Sequence, residues 1–338
     1  MTGTALVTGS AGFIGAALSQ HLLDCEYEVV GVDSLSDYYD PLLKRDREKL
    51  LLANDRFSVE HERIETPGVL RRLMGDMKPD IVFHLAAQAG VRFSIDEPGT
   101  YVDSNLRGTF ELLEAARAHS PRHLLMASSS SVYGYDNDIP YAETAPANHQ
   151  LSFYAATKKA NEGMAHSYAH MFGIPITMFR FFTVYGPWGR PDMALFKFVR
   201  AMLAGEEFDV YGFGKMRRDY TFIADLVEAI HRLSAVVPEP AGADRADIAH
   251  DSLSPVAPYR VVNIGNSAPV VLLDMVRTAA SALGVEPRIN LMEIQPGEVQ
   301  DTWADTRLLR NLTGFQCGTD LEEGVRQFVE WYRGYYRI

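Results

Sequence analysis

Apolar runs and amphipathic stretches alternate along the first half of the chain. The apolar runs are rich in β-branched and aromatic residues and predict strands at 4–9, 28–33, 80–87, 123–129 and 175–186. Apolar residues at helical spacing predict helices at 13–24 and 107–118. Strands that alternate with helices indicate a parallel sheet covered by helices on both faces. The predicted fold class is therefore α/β.

The second half is less regular. One further strand is predicted at 260–265 and a helix at 272–283. A second, amphipathic helix is predicted at 321–336. Residues 236–258 are rich in Pro, Ala and Asp, which predicts an exposed loop. We expect residues 1–180 to form one domain. Residues 181–338 are expected to form mainly a second lobe, with some segments returning to the first domain.

The composition narrows the classes of partner. The 338-residue chain is 47% hydrophobic, and its formal net charge of -12 argues against nucleic acid as a partner. We see no secretory leader and no apolar run long enough to cross a membrane, so no membrane partner is expected. Cys25 and Cys317 lack metal-ligand spacing, and the histidines include no H-E-x-x-H pair. We expect free thiols, a reducing cytoplasmic compartment and no metal site.

A glycine-rich loop joins the first predicted strand to the first predicted helix. Residues 9–15 read G-S-A-G-F-I-G. Glycines permit a tight turn and let backbone N–H groups approach a pyrophosphate at the helix N-terminus. The second strand ends at Asp33, where a carboxylate binds the ribose hydroxyls of adenosine and repels a 2′-phosphate. The pattern predicts a Rossmann-type doubly wound sheet that binds NAD, with a generic strand–turn–helix connection as the alternative.

A tyrosine and a lysine share one face of a predicted helix. Tyr154 and Lys158 stand four residues apart, which is about one helical turn. Taken alone, the pair fits a surface tyrosine beside a solvated lysine, because such pairs are common. The glycine loop adds a second interpretation, in which the phenol is tuned to lose its proton.

Together, the glycine loop and Tyr154-x-x-x-Lys158 resemble the extended short-chain dehydrogenase/reductase family. Five further stretches are similar to its nucleotide-sugar epimerases, and closest to those acting on UDP-glucuronate: 84–94, 128–134, 179–198, 209–226 and 296–305. The resemblance implies a smaller C-terminal α/β lobe that binds substrate, and NAD as the cofactor. The implied cofactor contacts are Gly9, Gly12, Phe13, Ile14, Gly15, Asp33, Ala86, Ala87, Tyr154 and Lys158.

The resemblance also implies the catalytic residues. The phenolate of Tyr154 is expected to take a proton from a sugar hydroxyl while NAD⁺ takes hydride from the same carbon. Lys158 and the positive nicotinamide are expected to lower the pKa of Tyr154, and Lys158 to bind the nicotinamide ribose. Ser129 is the expected third polar group, with Ser131 as the second choice.

Two serines bear on the type of reaction. Family members that dehydrate or decarboxylate usually carry Asp or Glu where this chain has Ser130 and Ser131. Those carboxylates move a proton at a second sugar carbon. Their absence from these two positions favours simple epimerisation, in which C4 is oxidised to a 4-keto sugar and reduced again from the opposite face.

A uronate substrate needs its carboxylate held, because a 4-keto uronate is a β-keto acid that readily loses carbon dioxide. A bidentate arginine suits this task. By resemblance we expect Arg190 on the carboxylate, Thr183 as a hydroxyl donor, and Arg92 and Ser94 nearby.

The rest of the nucleotide is expected to contact Arg218 at the diphosphate, and Tyr211 and Phe196 beside the uracil or its ribose. Residues 295–298 read Q-P-G-E where many family members carry an arginine before Pro-Gly-Asp, which weakens the nucleotide assignments in this lobe. The expected substrate contacts are Arg92, Ser94, Ser129, Ser130, Ser131, Thr183, Arg190, Phe196, Tyr211 and Arg218.

The sequence therefore favours an isomerase that converts UDP-glucuronate to UDP-galacturonate. The alternatives are a UDP-glucose 4-epimerase, a UDP-sugar decarboxylase or dehydratase, and a catalytically silent NAD-binding protein. Family analogy further predicts a homodimer formed through the tyrosine-bearing helix and the helix before it.

Overall fold

The computed structural model describes residues 3–135, 138–240, 242, 248–295 and 299–338. The Q-P-G-E departure therefore lies mostly outside the described residues. The strands within these ranges are β1 (Thr4–Thr8), β2 (Glu28–Val32), β3 (Phe57–Glu60), β4 (Ile81–His84), β5 (His123–Ser129), β6 (Ile176–Phe181), β7 (Thr183–Tyr185), β8 (Glu207–Val210), β9 (Arg217–Phe222), β10 (Tyr259–Ile264), β11 (Pro269–Val271), β12 (Arg288–Leu291) and β13 (Asp301–Thr302).

Helices flank these strands, and a π-helical segment, Val102–Arg107, leads into the sixth of them. They are α1 (Phe13–Asp24), α2 (Pro41–Leu51), α3 (Val69–Met77), α4 (Phe93–Asp96), α5 (Pro98–Tyr101), α6 (Gly108–Ala118), α7 (Phe153–Phe172), α8 (Ala194–Ala204), α9 (Ile223–Ser234), α10 (Leu272–Leu283), α11 (Arg307–Thr313) and α12 (Leu321–Tyr336). Within the described residues, we find no helix with the length and apolar character of a membrane span.

Seven parallel strands form the main sheet, in the order β10-β6-β5-β4-β1-β2-β3. The central strands β1, β4 and β5 are almost entirely buried, because helices cover both faces of the sheet. The strand order reverses beside β1, and ligands of open α/β sheets bind at such a point, outside the carboxyl ends of the strands. The predicted Rossmann-type fold class is confirmed.

A smaller lobe is built from later parts of the chain. Strand β9 pairs with β7, β11 and β13, while β8 pairs with β12 in a separate two-stranded sheet. Helices α8, α10 and α12 pack against one another in this lobe. Between these elements, β10 returns to the main sheet and pairs with β6 along its whole length.

The predicted exposed loop at 236–258 is only partly exposed where it is described. Its C-terminal part is attached to α7: His166 bonds the hydroxyl of Ser254 at 2.9 Å, and His170 bonds the carbonyl of Val256 at 2.8 Å. Ser254 and Ala257 are consequently buried. Low hydrophobicity predicted the lack of regular structure but did not reveal these polar attachments.

A buried ion pair joins α7 to the sheet. The Glu162 carboxylate accepts two bonds of 2.9 Å from the Arg180 guanidinium on β6, and one of 2.8 Å from the Ser128 hydroxyl on β5. Both charged side chains are at most 4% exposed. Burial acts to raise the pKa of Glu162, but Arg180 outweighs it and holds that pKa below its ordinary value. The carboxylate therefore stays ionised and fixes α7 against two strands.

Removing one charge of this pair should be costly. We predict that Glu162→Gln lowers the free energy of unfolding by about 3–5 kcal/mol, because it leaves the Arg180 guanidinium buried without its counter-charge. Urea unfolding followed by circular dichroism measures the loss. Glu323→Gln, in a surface pair with Arg326, is the matched control and should unfold like the wild type. Equal midpoints for the two variants would contradict the prediction.

Candidate active site

The glycine loop is shaped by close backbone contacts. Gly9 has a φ of +74°, and a Cβ there would lie 2.8 Å from the Ala86 nitrogen. A Cβ on Gly15 would lie 1.9 Å from the Gly9 carbonyl oxygen. No side chain of the described residues caps α1, which begins directly after Gly12, so its first N–H groups are available to an anion. The loop thus fits a pyrophosphate.

Asp33 holds this loop to the end of β2. Its carboxylate accepts the N–H of Ala11 at 3.0 Å and that of Leu35 at 2.8 Å. A carboxylate has about four acceptor positions, so two bonds leave capacity for ribose hydroxyls. The position of this acidic side chain beside the glycine loop fits NAD.

Two cavities adjoin at the carboxyl edge of the main sheet. One, of about 420 Å³, follows the glycine loop, and the other, of about 530 Å³, reaches into the smaller lobe. Tyr154, Ser129 and Arg190 border both. The first cavity is bordered by every residue expected to contact the cofactor, namely Gly9, Gly12, Phe13, Ile14, Gly15, Asp33, Ala86, Ala87, Tyr154 and Lys158.

Helix α7 delivers the tyrosine and the lysine to this junction. Ser152 caps the helix by accepting the N–H of Ala155 at 3.1 Å, which places Tyr154 in the first turn. One turn later, the buried Lys158 donates to the Ala127 carbonyl at 2.9 Å. The structure therefore rules out the interpretation of this pair as a solvated surface feature.

Burial acts on the pKa values of both members of the pair. Burial raises the pKa of Tyr154, while a hydrogen bond with Ser129 and the charge of Arg190 act to lower it. Burial also lowers the pKa of Lys158 to about 8. The expected fall in the pKa of Tyr154 is thus not produced by the protein's own groups, because desolvation outweighs the charges nearby.

The four serines at the end of β5 divide between core and site. Ser128 turns inward to Glu162. Ser129 lies near enough to Tyr154 to act on its pKa, and its hydroxyl donates to the Ser131 hydroxyl at 3.2 Å. Ser129, Ser130 and Ser131 all border the second cavity. The contact with Tyr154 favours Ser129 as the third polar group.

Arg190 is committed to a partner that the sequence analysis did not anticipate. Its Nε and one terminal nitrogen bind the two Asp192 oxygens at 3.0 and 2.6 Å. The Tyr38 hydroxyl donates to the same carboxylate at 3.2 Å. The bidentate edge expected to clamp a uronate is therefore occupied by Asp192. A substrate carboxylate would have to use the remaining terminal nitrogen or displace Asp192.

Two predicted substrate contacts, Ser94 and Phe196, border neither cavity. Ser94 is 2% exposed, donates to the Val91 carbonyl at 2.6 Å and borders neither cavity. Phe196 is buried against aromatic rings of α12, because the helical period of α8 turns it toward the core. Its neighbours Lys197 and Phe198 border the second cavity instead.

The remaining predicted contacts do border the second cavity. Thr183 lies at the start of β7, and the Arg92 guanidinium stacks 4.8 Å from the centre of the Tyr211 ring. Arg218 is oriented by backbone carbonyls, donating to Arg217 at 3.1 Å and to Gln300 at 2.9 Å. Arg92 and Arg218 thus place two cations along the part of this cavity that reaches into the smaller lobe.

Sequence reasoning missed several residues at the junction. Tyr38, Phe93 and Met193 border both cavities. Tyr38 follows β2 in a loop with no motif of its own, and Phe93 lies in the quoted stretch 84–94 without having been singled out. Met193 likewise lies in the quoted stretch 179–198, three residues after Arg190, without having been singled out.

The buried lysine should leave a signature in the pH dependence of stability. A pKa near 8, below the ordinary 10.5, means that the unfolded chain binds more protons between those values. The stability of wild type relative to Lys158→Met should therefore rise with pH, by about 2 kcal/mol between about pH 7 and about pH 9.5. Urea unfolding of both proteins across this range measures it, with the exposed Lys49→Met as the control for loss of a lysine. A difference that does not change with pH would contradict the prediction.

Comparisons with known proteins agree with this geometry. The model of the family described as "NAD dependent epimerase/dehydratase family" matches residues 5–244. A probable UDP-glucuronate 4-epimerase of Rhizobium meliloti is 48% identical over 98% of this chain and 97% of that protein. UDP-glucuronate 4-epimerase 4 of Arabidopsis thaliana is 40% identical over 98% of this chain and 76% of that protein.

A solved structure is similar along the whole chain. It is the UDP-glucuronic acid 4-epimerase of Bacillus cereus in complex with UDP-glucuronic acid and NAD. It superposes with a TM-score of 0.86 at 32% identity, covering 98% of this chain and 100% of that one. The resemblance inferred from the motifs is thereby confirmed, and the chain belongs to the NAD dependent epimerase/dehydratase family.

Proposed function

We propose that this protein is an NAD-dependent isomerase that interconverts UDP-glucuronate and UDP-galacturonate by epimerisation at C4. The observation that carries the proposal is the position of Tyr154 and Ser129 where the two cavities adjoin. A dinucleotide along the glycine loop and a sugar nucleotide in the second cavity would both reach this pair. The similarity to UDP-glucuronate 4-epimerases supports the choice of substrate.

Each catalytic side chain has a role that suits its surroundings. Bound NAD⁺ supplies reversible hydride transfer at C4 and a positive charge beside the phenol, which favours phenolate. Tyr154 takes the C4 hydroxyl proton and returns it after the 4-keto sugar has turned about its diphosphate. Ser129 bonds both the phenol and the reacting oxygen. Lys158, held by the Ala127 carbonyl, binds the nicotinamide ribose.

The available carboxylates support epimerisation over loss of water or carbon dioxide. Among the described residues, the second cavity is bordered by two carboxylates, Asp192 and Asp209. Asp192 is paired with Arg190. Burial acts to raise the pKa of Asp192, but the Arg190 guanidinium outweighs it and holds that pKa below its ordinary value. Asp209 accepts bonds from Tyr211 and Asn290. Serines stand at 130 and 131, where related enzymes carry the carboxylate for a second proton transfer. The two carboxylates in this described lining are both bonded to other side chains, so neither is available to take over that role.

The runner-up substrate is UDP-glucose, because the Arg190 edge expected to clamp a uronate is bonded to Asp192. Uronate binding then rests on the second terminal nitrogen of Arg190 and on hydroxyl donors at Thr183 and Ser129–Ser131. These groups surround the same cavity, and several neutral donors can hold a carboxylate without a full arginine clamp.

Turnover tests both the mechanism and the substrate. The purified protein is given each UDP-sugar with NAD⁺, and the two sugar nucleotides in each reaction are separated and quantified over time. UDP-glucuronate should be converted to UDP-galacturonate faster than UDP-glucose is converted to UDP-galactose. Tyr154→Phe should lower kcat by about 10²–10⁴-fold, because it removes the general base. Tyr168→Phe, on the same helix but bonded to Glu114, is the matched control and should retain activity. Preferential conversion of UDP-glucose would refute the uronate assignment, and an active Tyr154→Phe would refute the mechanism.

We further infer a homodimer formed by α6 and α7. The outward face of α7 combines small exposed residues with exposed large ones: Ala156, Ala160, Gly163, Phe153 at 40% and Met171 at 66%. On α6, Phe110 is 47% exposed. Small residues let two helices approach closely, and large apolar ones on a helix face favour burial against a partner. A second copy presenting the same face would bury both sets.

One charge on this face should separate the subunits. We expect Ala160→Arg to give a monomer in light scattering coupled to size-exclusion chromatography, because an arginine cannot be packed between closely approaching helices. Leu50→Arg, on the exposed side of α2, is the matched control and should leave the dimer intact. A wild-type mass equal to that of one chain would overturn the inference.

A cytoplasmic location is part of the same proposal. Neither Cys25 nor Cys317 forms a disulfide, as suits a reducing compartment.

A further inference from the structure

A cluster of metal-ligating side chains lies away from both cavities. His21 and Cys25 stand one turn apart at the end of α1, and His231 lies in the last turn of α9, which packs on α1. The His21 Nε2 lies 2.8 Å from the His231 Nδ1, and the Cys25 Sγ lies 3.7 and 3.9 Å from these two nitrogens. None of the three borders either active-site cavity.

These separations resemble those around a tetrahedral zinc ion. Zinc lies about 2.0–2.1 Å from imidazole nitrogen and about 2.3 Å from thiolate sulfur, so tetrahedral ligands stand about 3.3 Å apart for two nitrogens and about 3.6 Å apart for nitrogen and sulfur. Both nitrogen–sulfur distances here are close to that value. The nitrogen pair would have to open by about half an ångström, which a small rotation of either imidazole provides.

Glu228 lies just outside this cluster, because the ligand atoms that all lie within 4.8 Å of one another belong to His21, Cys25 and His231. Its side chain can supply a fourth ligand by turning toward the ion. One Glu228 oxygen lies 3.8 Å from the His21 Nε2, while the other is bonded to Arg232. Glu228 can thus offer one oxygen to the ion while Arg232 holds the other and orients the carboxylate.

We propose that His21, Cys25, His231 and Glu228 bind a divalent transition-metal ion of the zinc class. Binding releases the thiol proton, while the hydrogen shared by the two neutral imidazoles moves to the other nitrogen of its own ring, so that the ligands are thiolate, two neutral imidazoles and carboxylate. The sequence predicts no metal site, because 206 residues separate Cys25 from His231 and only the packing of α1 on α9 brings them together.

The proposed site has a structural consequence. The N-terminus of α1 forms the pyrophosphate end of the glycine loop, and the ion would fix the opposite end of the same helix to α9. All four ligands are partly exposed, so an ion can enter from solvent without unfolding the chain. The ion is therefore expected to stabilise the fold rather than take part in turnover.

Cobalt titration of untagged, chelator-treated protein tests the site directly. Wild-type protein should bind one Co²⁺ with a thiolate-to-cobalt charge-transfer band, and zinc should displace it and raise the melting temperature. Cys25→Ser should lose the band, and His231→Gln should weaken cobalt binding by about tenfold or more. Cys317→Ser, which removes the other cysteine, is the matched control and should behave like the wild type.

Circular dichroism and NAD binding establish that each variant is folded before titration. No charge-transfer band in the wild type, the same band in Cys25→Ser, or loss of the band in Cys317→Ser would each overturn the proposal. Unchanged cobalt affinity in a folded His231→Gln would also overturn it, because a thiolate alone would then account for binding.

Discussion

The candidate active site depends on how α7 is held against the sheet. The buried Glu162–Arg180 pair fixes the middle of this helix to β6, and the Ser128 bond fixes it to β5. Tyr154 and Lys158 lie on the same helix, and Ser129 directly follows Ser128. The ion pair therefore sets the position of the phenol relative to Ser129, although neither charged residue borders a cavity.

The parts that could be predicted from sequence follow local rules. The glycine loop, Asp33 and the ends of α1, α10 and α12 are dictated by turns, strand ends and helical periodicity within short segments. Each predicted cofactor contact borders the first cavity for this reason, because it sits at the end of a recognisable strand or helix. The fold class and the family are confirmed, while the roles of the individual residues remain predictions.

The parts that failed depend on contacts between distant segments. Motif matching placed Phe196 and Ser94 near substrate, but the direction of a side chain is decided by the packing of α8 on α12 and by a local carbonyl. Asp192 was not considered as a partner, so Arg190 was taken to be free. Burial raises the pKa of Tyr154 in the protein alone, and the degree of burial cannot be read from the spacing of a tyrosine and a lysine.

The return of β10 to the main sheet makes the two parts of the molecule inseparable. The chain leaves the sheet after β6, builds β7, α8, β8 and β9 of the smaller lobe, supplies the strand that covers β6 along its whole length, and then completes the lobe. A fragment ending near residue 180 would expose the edge of β6, an apolar strand that is buried throughout in the intact chain. Unpaired apolar edges recruit other chains, so such a fragment would tend to aggregate. In the chain, β10 lies between the two parts of the smaller lobe, although it belongs to the main sheet. A chimera that takes its substrate lobe from a relative must therefore treat β10 as a third, separate segment.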